Sequence, residues 1–193
     1  MEKIVDVLIV GAGISGIGIA AHLAKNSPQR QFEIIERRDS IGGTWDLFRY
    51  PGIRSDSDMS TFGFNFKPWR SANVLAAGPA IKGYLGEVVD EFDLKKKIHF
   101  KHRVLTANYD TAKKKWFVEI EDANQKRQTW IANFVIGCTG YYNYDHGFEP
   151  DFPNKDIFKG QFIHPQHWPE NLDYTGKKAV SYTHLTLPTK RIV

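Results

Sequence analysis

The feature that most constrains this chain is a glycine turn set between a strand and a helix. Ile4–Val10 is a β-branched apolar run, long enough for a strand buried in a parallel sheet. Gly11-Ala12-Gly13-Ile14-Ser15-Gly16 follows at once. The spacing then predicts a helix over Ile14–Lys25, with Ile17, Ala20, Ala21 and Ala24 on one face, stopped before Pro28. Phe32–Glu36 reads as a second strand, which completes a βαβ-type start. In a G-x-G-x-x-G turn each glycine has its own task. Gly11 permits the tight exit from the strand, Gly13 lets backbone approach a pyrophosphate, and Gly16 lets the helix pack close to the sheet. The helix N-terminus adds free N–H groups and a partial positive charge. Glu36 stands twenty positions past Gly16, where a carboxylate accepts hydrogen bonds from ribose hydroxyls. It would repel a 2′-phosphate, so this turn is expected to hold FAD or NAD and not NADP. The alternative is a tight strand–helix turn beside a surface glutamate. The sequence does not show where the adjacent Arg37 and Arg38 point.

Beyond this start, residues 37–76 read as one long irregular segment rich in Gly, Asp, Ser and aromatics, a length that in a compact domain is usually functional. Gly78–Phe92 reads as an amphipathic helix with Ile81, Tyr84, Leu85, Val88 and Phe92 on one face. Strands are expected at Ile98–Phe100, Arg103–Tyr109, Trp116–Glu121, Gln128–Ile131 and Phe134–Cys138, with polar turns at Asp110-Thr111-Ala112 and Asp122-Ala123-Asn124. This pattern implies an antiparallel excursion inserted into a parallel α/β fold.

Composition excludes several classes. Hydrophobic residues make up 41% and charged residues 25% of the 193, enough apolar material for a core. No apolar run approaches the ~20 residues that span a bilayer, and no secretion signal is evident. Cys138 is the only cysteine, so no internal disulfide forms, which suits a reducing, cytoplasmic setting. Cys138 is read as a small buried hydrophobe. The net charge of +4 is scattered, and its clusters at Lys95–Lys97 and Lys113–Lys115 fall in turns, so nucleic-acid binding is not expected. No metal-ligand cluster stands out. Oligomeric state is not legible.

Gly42-Gly43-Thr44-Trp45, followed by Tyr50-Pro51-Gly52-Ile53-Arg54-Ser55-Asp56, goes beyond a generic dinucleotide fold. It resembles the flavin-edge loop of class B flavin monooxygenases, and in particular Baeyer–Villiger monooxygenases of the ethionamide-activating mycobacterial type. The resemblance continues in Gly140-Tyr141-Tyr142-Asn143-Tyr144 and covers residues 1–179. Phe158-x-Gly160-x3-His164-x3-Trp168-Pro169 is similar to the Baeyer–Villiger fingerprint F-x-G-x3-H-x3-W. Trp168 argues against the related N- and S-oxygenating enzymes, which usually carry another aromatic there.

The resemblance implies a glutathione-reductase-like two-dinucleotide-binding fold. Residues 1–150 would form the Rossmann-like FAD-binding domain, and 151–179 the linker with the fingerprint and the start of an NADP-binding domain. It implies FAD contacts at Gly11, Gly13, Ser15, Gly16, Glu36, Gly43, Thr44, Trp45, Asp46, Leu47, Ser55 and Asp56, at the backbone of Val104, and at Thr139 and Gly140. Arg54, Ser55 and Asp56 would lie near the nicotinamide of NADPH. Arg54 and Asp56 are the candidate catalytic side chains, with Asp56 orienting an arginine that lies outside this chain. His164 is read as positioning the fingerprint and moving with the domains, without transferring a proton. The implied activity is insertion of one oxygen atom of O2 into a ketone to give an ester or lactone, with S-oxygenation of a thioether as an accompaniment. The competing readings are an N/S-oxygenating flavin monooxygenase, a non-catalytic flavin-binding module, and a simple NAD dehydrogenase. The last leaves Trp45, Arg54-Ser55-Asp56 and the fingerprint unexplained.

The pattern departs from the family after Lys177-Lys178-Ala179-Val180, the expected start of another strand. The family continues into a second G-x-G-x-x-G, whereas here no glycine follows Gly176. Val180–Thr189 resembles a translated transposase-type sequencing adapter, so residues 180–193 are expected not to be native. The chain is therefore expected to stop short of the NADPH domain and to be inactive alone.

Overall fold

The computed structural model describes residues 3–180; all of the expected non-native tail, 180–193, except Val180 lies outside the described residues. The chain begins with β1 (Lys3–Val10), α1 (Ile14–Asn26) and β2 (Phe32–Ile35). Two single-turn helices, α2 (Thr44–Leu47) and α3 (Met59–Phe62), punctuate the long segment that follows. α4 (Gly78–Glu91) comes next, then β3 (Ile98–His99), β4 (Arg103–Asp110), β5 (Lys115–Glu121) and β6 (Arg127–Gly137). One six-stranded sheet runs in the order β3-β2-β1-β6-β5-β4. β3, β2, β1 and β6 are parallel to their neighbours, and β6-β5-β4 is an antiparallel meander. The expected α/β fold with an antiparallel excursion is what forms.

β1 is central because its side chains are apolar on both faces, as a covered parallel strand requires. Val7 and Ile9 face a core built with Ile17, Ala20 and Ala21 of α1 and Ile81, Leu85 and Val88 of α4. Val5 and Leu8 pack with Ile35 and with Val118, Ile120, Trp130 and Ala132 of the meander. Pro79 stands in the first turn of α4, where its missing N–H costs no helical bond. Gly18 lets α1 accept the Phe64 ring, because a Cβ there would overlap it.

One strand expectation is corrected. Gln128–Ile131 and Phe134–Cys138 are not two strands but parts of the single β6. Ala132-Asn133 looks like a polar break, yet the strand continues through it because Asn133 is satisfied in place. Its amide donates to Asp6 Oδ1 at 2.9 Å, and its oxygen accepts from Lys115 Nζ. The N-terminal half of β6 pairs with β5 up to Ala132, while β1 lies along it from Trp130 to Gly137. β6 thus carries the meander into the parallel sheet. Cys138 is half-buried against the main core.

Candidate dinucleotide-binding site

Brought together at the carboxyl ends of β1 and β6, the glycine turn and the long segment enclose a cleft of about 610 Å3. That lies within the ~300–1,000 Å3 range of ligand pockets. The turn is made by backbone geometry. Gly11 has φ +110°, and a Cβ there would also overlap the Cys138 carbonyl. A Cβ on Gly16 would overlap the Gly11 carbonyl, so the helix seats on the turn only because both positions are glycine. Gly13 differs, with an ordinary φ and no clash, and its would-be Cβ lies 3.6 Å from the Cα of Gly43. Gly43, at φ +55°, faces it, and Gly42 N donates to Ala12 O at 3.0 Å. The Gly42–Trp45 loop is therefore laid against the glycine turn, and the floor between Gly13 and Gly43 is bare backbone.

No side chain caps the N-terminus of α1. Its first N–H groups lack intrahelical partners and, with the helix dipole, offer a place for an anion. Glu36 is 5% exposed. Its carboxylate accepts from Ala12 N at 2.7 Å and from Arg38 N at 2.8 Å. One carboxylate oxygen is thus held by the glycine turn and the other by the chain leaving β2. Each oxygen keeps a further lone-pair direction for a hydroxyl donor.

The cleft lining includes Gly11, Gly13, Ser15, Glu36, Gly43, Thr44, Trp45, Val104, Thr139 and Gly140. Gly16 sits directly behind the turn. Trp45 packs edge-on to Phe62 with ring centroids 5.8 Å apart, fixing one wall.

Other expected contacts do not reach the cleft. Asp46 is 2% exposed and turned away from it. Its carboxylate accepts from Arg38 Nε at 3.0 Å and from Lys82 Nζ at 2.5 Å, with Arg49 at 3.7 Å. Burial alone pushes the Asp46 carboxyl up; the hydrogen bonds from Lys82 and Arg38 and their charges outweigh it and hold the group below the usual aspartate range. Leu47 lines a shallower neighbouring hollow of about 570 Å3 with Arg49, Tyr144 and Trp168. The Ser55 hydroxyl is used locally, donating to Ser57 O at 2.7 Å. Arg54 is exposed and its backbone bridges to Ala77. Asp56 is exposed, near enough to Tyr142 for its charge to act on that phenol. The Tyr142 phenol is pushed up to about 12 by its hydrogen bond to Tyr141, then by burial and the negative charge of Tyr141, Tyr50 and Asp56.

The fingerprint residues occupy a strap across the segment after β6. His164 Nδ1 accepts from Gln166 N at 3.2 Å, and its ring fills the space where Gly147 has no Cβ. The Phe158 ring fills the corresponding space at Gly160, and Trp168 packs edge-on to Tyr174.

Several contributors take their place from contacts that no local sequence pattern shows. Tyr144 lines the cleft with its ring 5.8 Å from the guanidinium carbons of both Arg37 and Arg38. Arg37 pairs with Asp145, which also takes Arg103 at 3.2 Å. Arg38 is committed to Asp46. The direction of both arginines is set by residues on other elements, out of reach of any local pattern.

The NAD(P)-binding Rossmann-like domain model matches residues 9–75. The chain is 86% identical over 180 residues to the "Probable FAD-binding monooxygenase AlmA" of Acinetobacter baylyi, covering 93% of this chain and 36% of that protein. It is 55% identical over 181 residues to the FAD-containing monooxygenase EthA of Mycolicibacterium smegmatis, again covering 36% of it. Among solved structures, an oxidised steroid monooxygenase bound to NADP aligns with a TM-score of 0.75 at 30% identity, over 90% of this chain and 33% of that one. OTEMO in complex with FAD and NADP aligns with a TM-score of 0.73 at 29% identity. The chain thus spans about a third of the length of the relatives it matches. Over that length it is similar to proteins named as FAD-binding or FAD-containing monooxygenases.

Proposed function

We propose that this chain supplies the FAD cradle of an NADPH-dependent monooxygenase that inserts one oxygen atom of O2 into ketones. The observation that carries this reading is the convergence of the uncapped α1 N-terminus, the glycine turn and the buried Glu36 carboxylate in one cleft. The residues fit a dinucleotide. The Gly11–Gly16 turn and the α1 N–H groups would hold the pyrophosphate, Glu36 the ribose hydroxyls, and Val104 the adenine. Thr44 and Trp45, with Thr139 and Gly140 opposite, would hold the flavin half. When bound, FAD carries reducing equivalents from NADPH to O2, so that one oxygen atom enters the substrate. The protein's share is positioning and water exclusion. Gly13 and Gly43 allow close approach, Glu36 fixes orientation through an acceptor already aligned by two amides, and Trp45 and Tyr144 wall the site.

Arg54 and Asp56 belong to the same proposal as side chains that would lie near the reacting end once the cofactors are bound. Asp56, exposed near Tyr142, would orient an arginine from outside this chain. Residues 1–150 would act as the FAD-binding domain and 151–179 as the linker with the fingerprint and the start of an NADP-binding domain, in a cytoplasmic protein. No helix among the described residues is long and apolar enough to cross a membrane.

The test begins with the chain itself, titrated into FAD while flavin fluorescence is followed. Saturable one-to-one quenching without NADPH oxidation is expected, and no binding would remove the proposal. The longer gene product is then given NADPH, a cyclic ketone and a thioether. Lactone is the expected product, whereas sulfoxide alone would shift the assignment to an S-oxygenating enzyme.

A further inference from the structure

Gln166 is the only residue buried between positions 133 and 180, at 7% exposure. It occupies a position that the motif F-x-G-x3-H-x3-W leaves open. A strap with one buried side chain would ordinarily bury an apolar one, since an amide taken from water must find hydrogen bonds. Gln166 finds one: its Nε2 donates to the backbone oxygen of Asn143 at 2.7 Å. Its own N–H donates to His164 Nδ1, and the His164 ring is seated against Gly147. The strap therefore grips residues 143–147 at two points.

Those residues are the continuation of the cleft wall, since Gly140–Tyr144 line it. Asn143 Oδ1 accepts from Asp145 N at 2.9 Å. Asp145 in turn holds Arg37 and Arg103, both of which line the cleft. Arg49–Glu170, at 3.2 Å, ties the strap to the flavin-edge loop as well. The path from strap to cleft is continuous and polar, and Gln166 is its one buried member.

We propose that Gln166 is a positioning residue that holds the Gly140–Tyr144 wall against the dinucleotide, so that the fingerprint strap tunes cofactor binding through a side chain outside the motif. The proposal rests on the reading of the cleft as an FAD site. Its test separates the two by reading the wall directly. Amide hydrogen exchange over residues 141–147 is measured in the chain without FAD, and FAD affinity by fluorescence titration, for the chain and for Gln166→Leu. Exchange at 141–147 is expected to rise about tenfold while β1 and α1 stay protected, and FAD affinity to fall about tenfold. Gly147→Ala, whose Cβ would collide with the His164 ring, loosens the strap at its second grip and is expected to raise exchange there too; if Gln166→Leu does not fold, Gln166→Glu, which loses the Nε2 donor to Asn143, decides the matter with the same expected changes. Unchanged exchange at 141–147 overturns the proposal whatever FAD does. Raised exchange with unchanged FAD affinity overturns it too, leaving a brace with no hold on the site. If the unsubstituted chain binds no FAD, the cofactor reading fails and this proposal falls with it, whereas the exchange result still reports whether the strap holds the wall.

Discussion

The glycine turn lines the cleft and the Tyr50–Asp58 stretch does not, and the two are built in opposite ways. In the turn, conformation is dictated by backbone: Gly11 and Gly16 fit because a Cβ would overlap a carbonyl, and Glu36 is locked by two amides. Most groups that shape the turn lie within or next to its own βαβ unit, the Cys138 carbonyl after β6 being the distant one. In Tyr50–Asp58 the backbone is fixed at its edges, by Ser55 N to Ala76 O at 2.9 Å and by the Asp58 cap on Thr61 N. Its two charged candidates, Arg54 and Asp56, remain exposed and make no ion pair among the described residues. A binding cradle made of backbone can be complete in a short chain, whereas a reacting site made of side chains depends on what other segments bring to it.

The most direct way to break this contrast is to add a methyl group to the turn. Gly11→Ala combines a φ of +110° with overlap on the Cys138 carbonyl. It is expected to cost about 3 kcal/mol or more of folding stability and to abolish FAD uptake. Urea denaturation checks the first and fluorescence titration the second. A variant that melts like the parent would show that the turn relaxes at low cost.

Asp46→Asn asks whether the buried ion cluster belongs to the cradle or only supports it. Lys82 and Arg38 would lose their carboxylate, at a cost of about 1–3 kcal/mol, limited because both partners are partly exposed to water. Because the folded Asp46 carboxyl lies below its unfolded value, its stabilisation is full above the unfolded value of ~3.9 and is lost as pH falls through the lower folded one. The stability gap between the chain and Asp46→Asn should therefore be steady near neutrality and close below about pH 4. A gap that persists at pH 2 would mean that packing, not charge, is what the substitution removes.

These two sites also show where the sequence was readable. β1, α1 and β2 could be read because an apolar strand, three glycines and a helical apolar face all demand the same local structure. Within β6, Ala132-Asn133 imitates a turn, and only Asp6 and Lys115, distant in sequence, make that asparagine acceptable in a strand. Asp46 sat in a recognisable motif, but its direction is decided by Lys82 on α4 and Arg38 after β2. Gln166 lay inside the fingerprint at a position the motif does not specify, and burial alone singles it out.

Glu36→Gln sharpens the comparison from the cradle side. An amide oxygen can keep one of the two backbone hydrogen bonds, but the amide nitrogen would face a donor. FAD affinity is expected to fall about tenfold, with a stability loss of about 1–2 kcal/mol. Equal affinity would mean that the ribose hydroxyls find another acceptor.

Asp56→Ala should have the smallest effect of all on this chain. The side chain is exposed and holds nothing among the described residues, so stability is expected to change by no more than about 0.5 kcal/mol and FAD affinity by less than twofold. Only the Tyr142 phenol should respond, titrating below its present value of about 12 once a neighbouring negative charge is gone. In the longer gene product the same substitution is expected to separate NADPH consumption from product formation, read as hydrogen peroxide released per NADPH oxidised. A silent effect here with uncoupling there would locate the role of Asp56 in what other segments bring to it. Unchanged coupling would remove Asp56 from the reacting site and leave the glycine cradle as the whole of this chain's contribution.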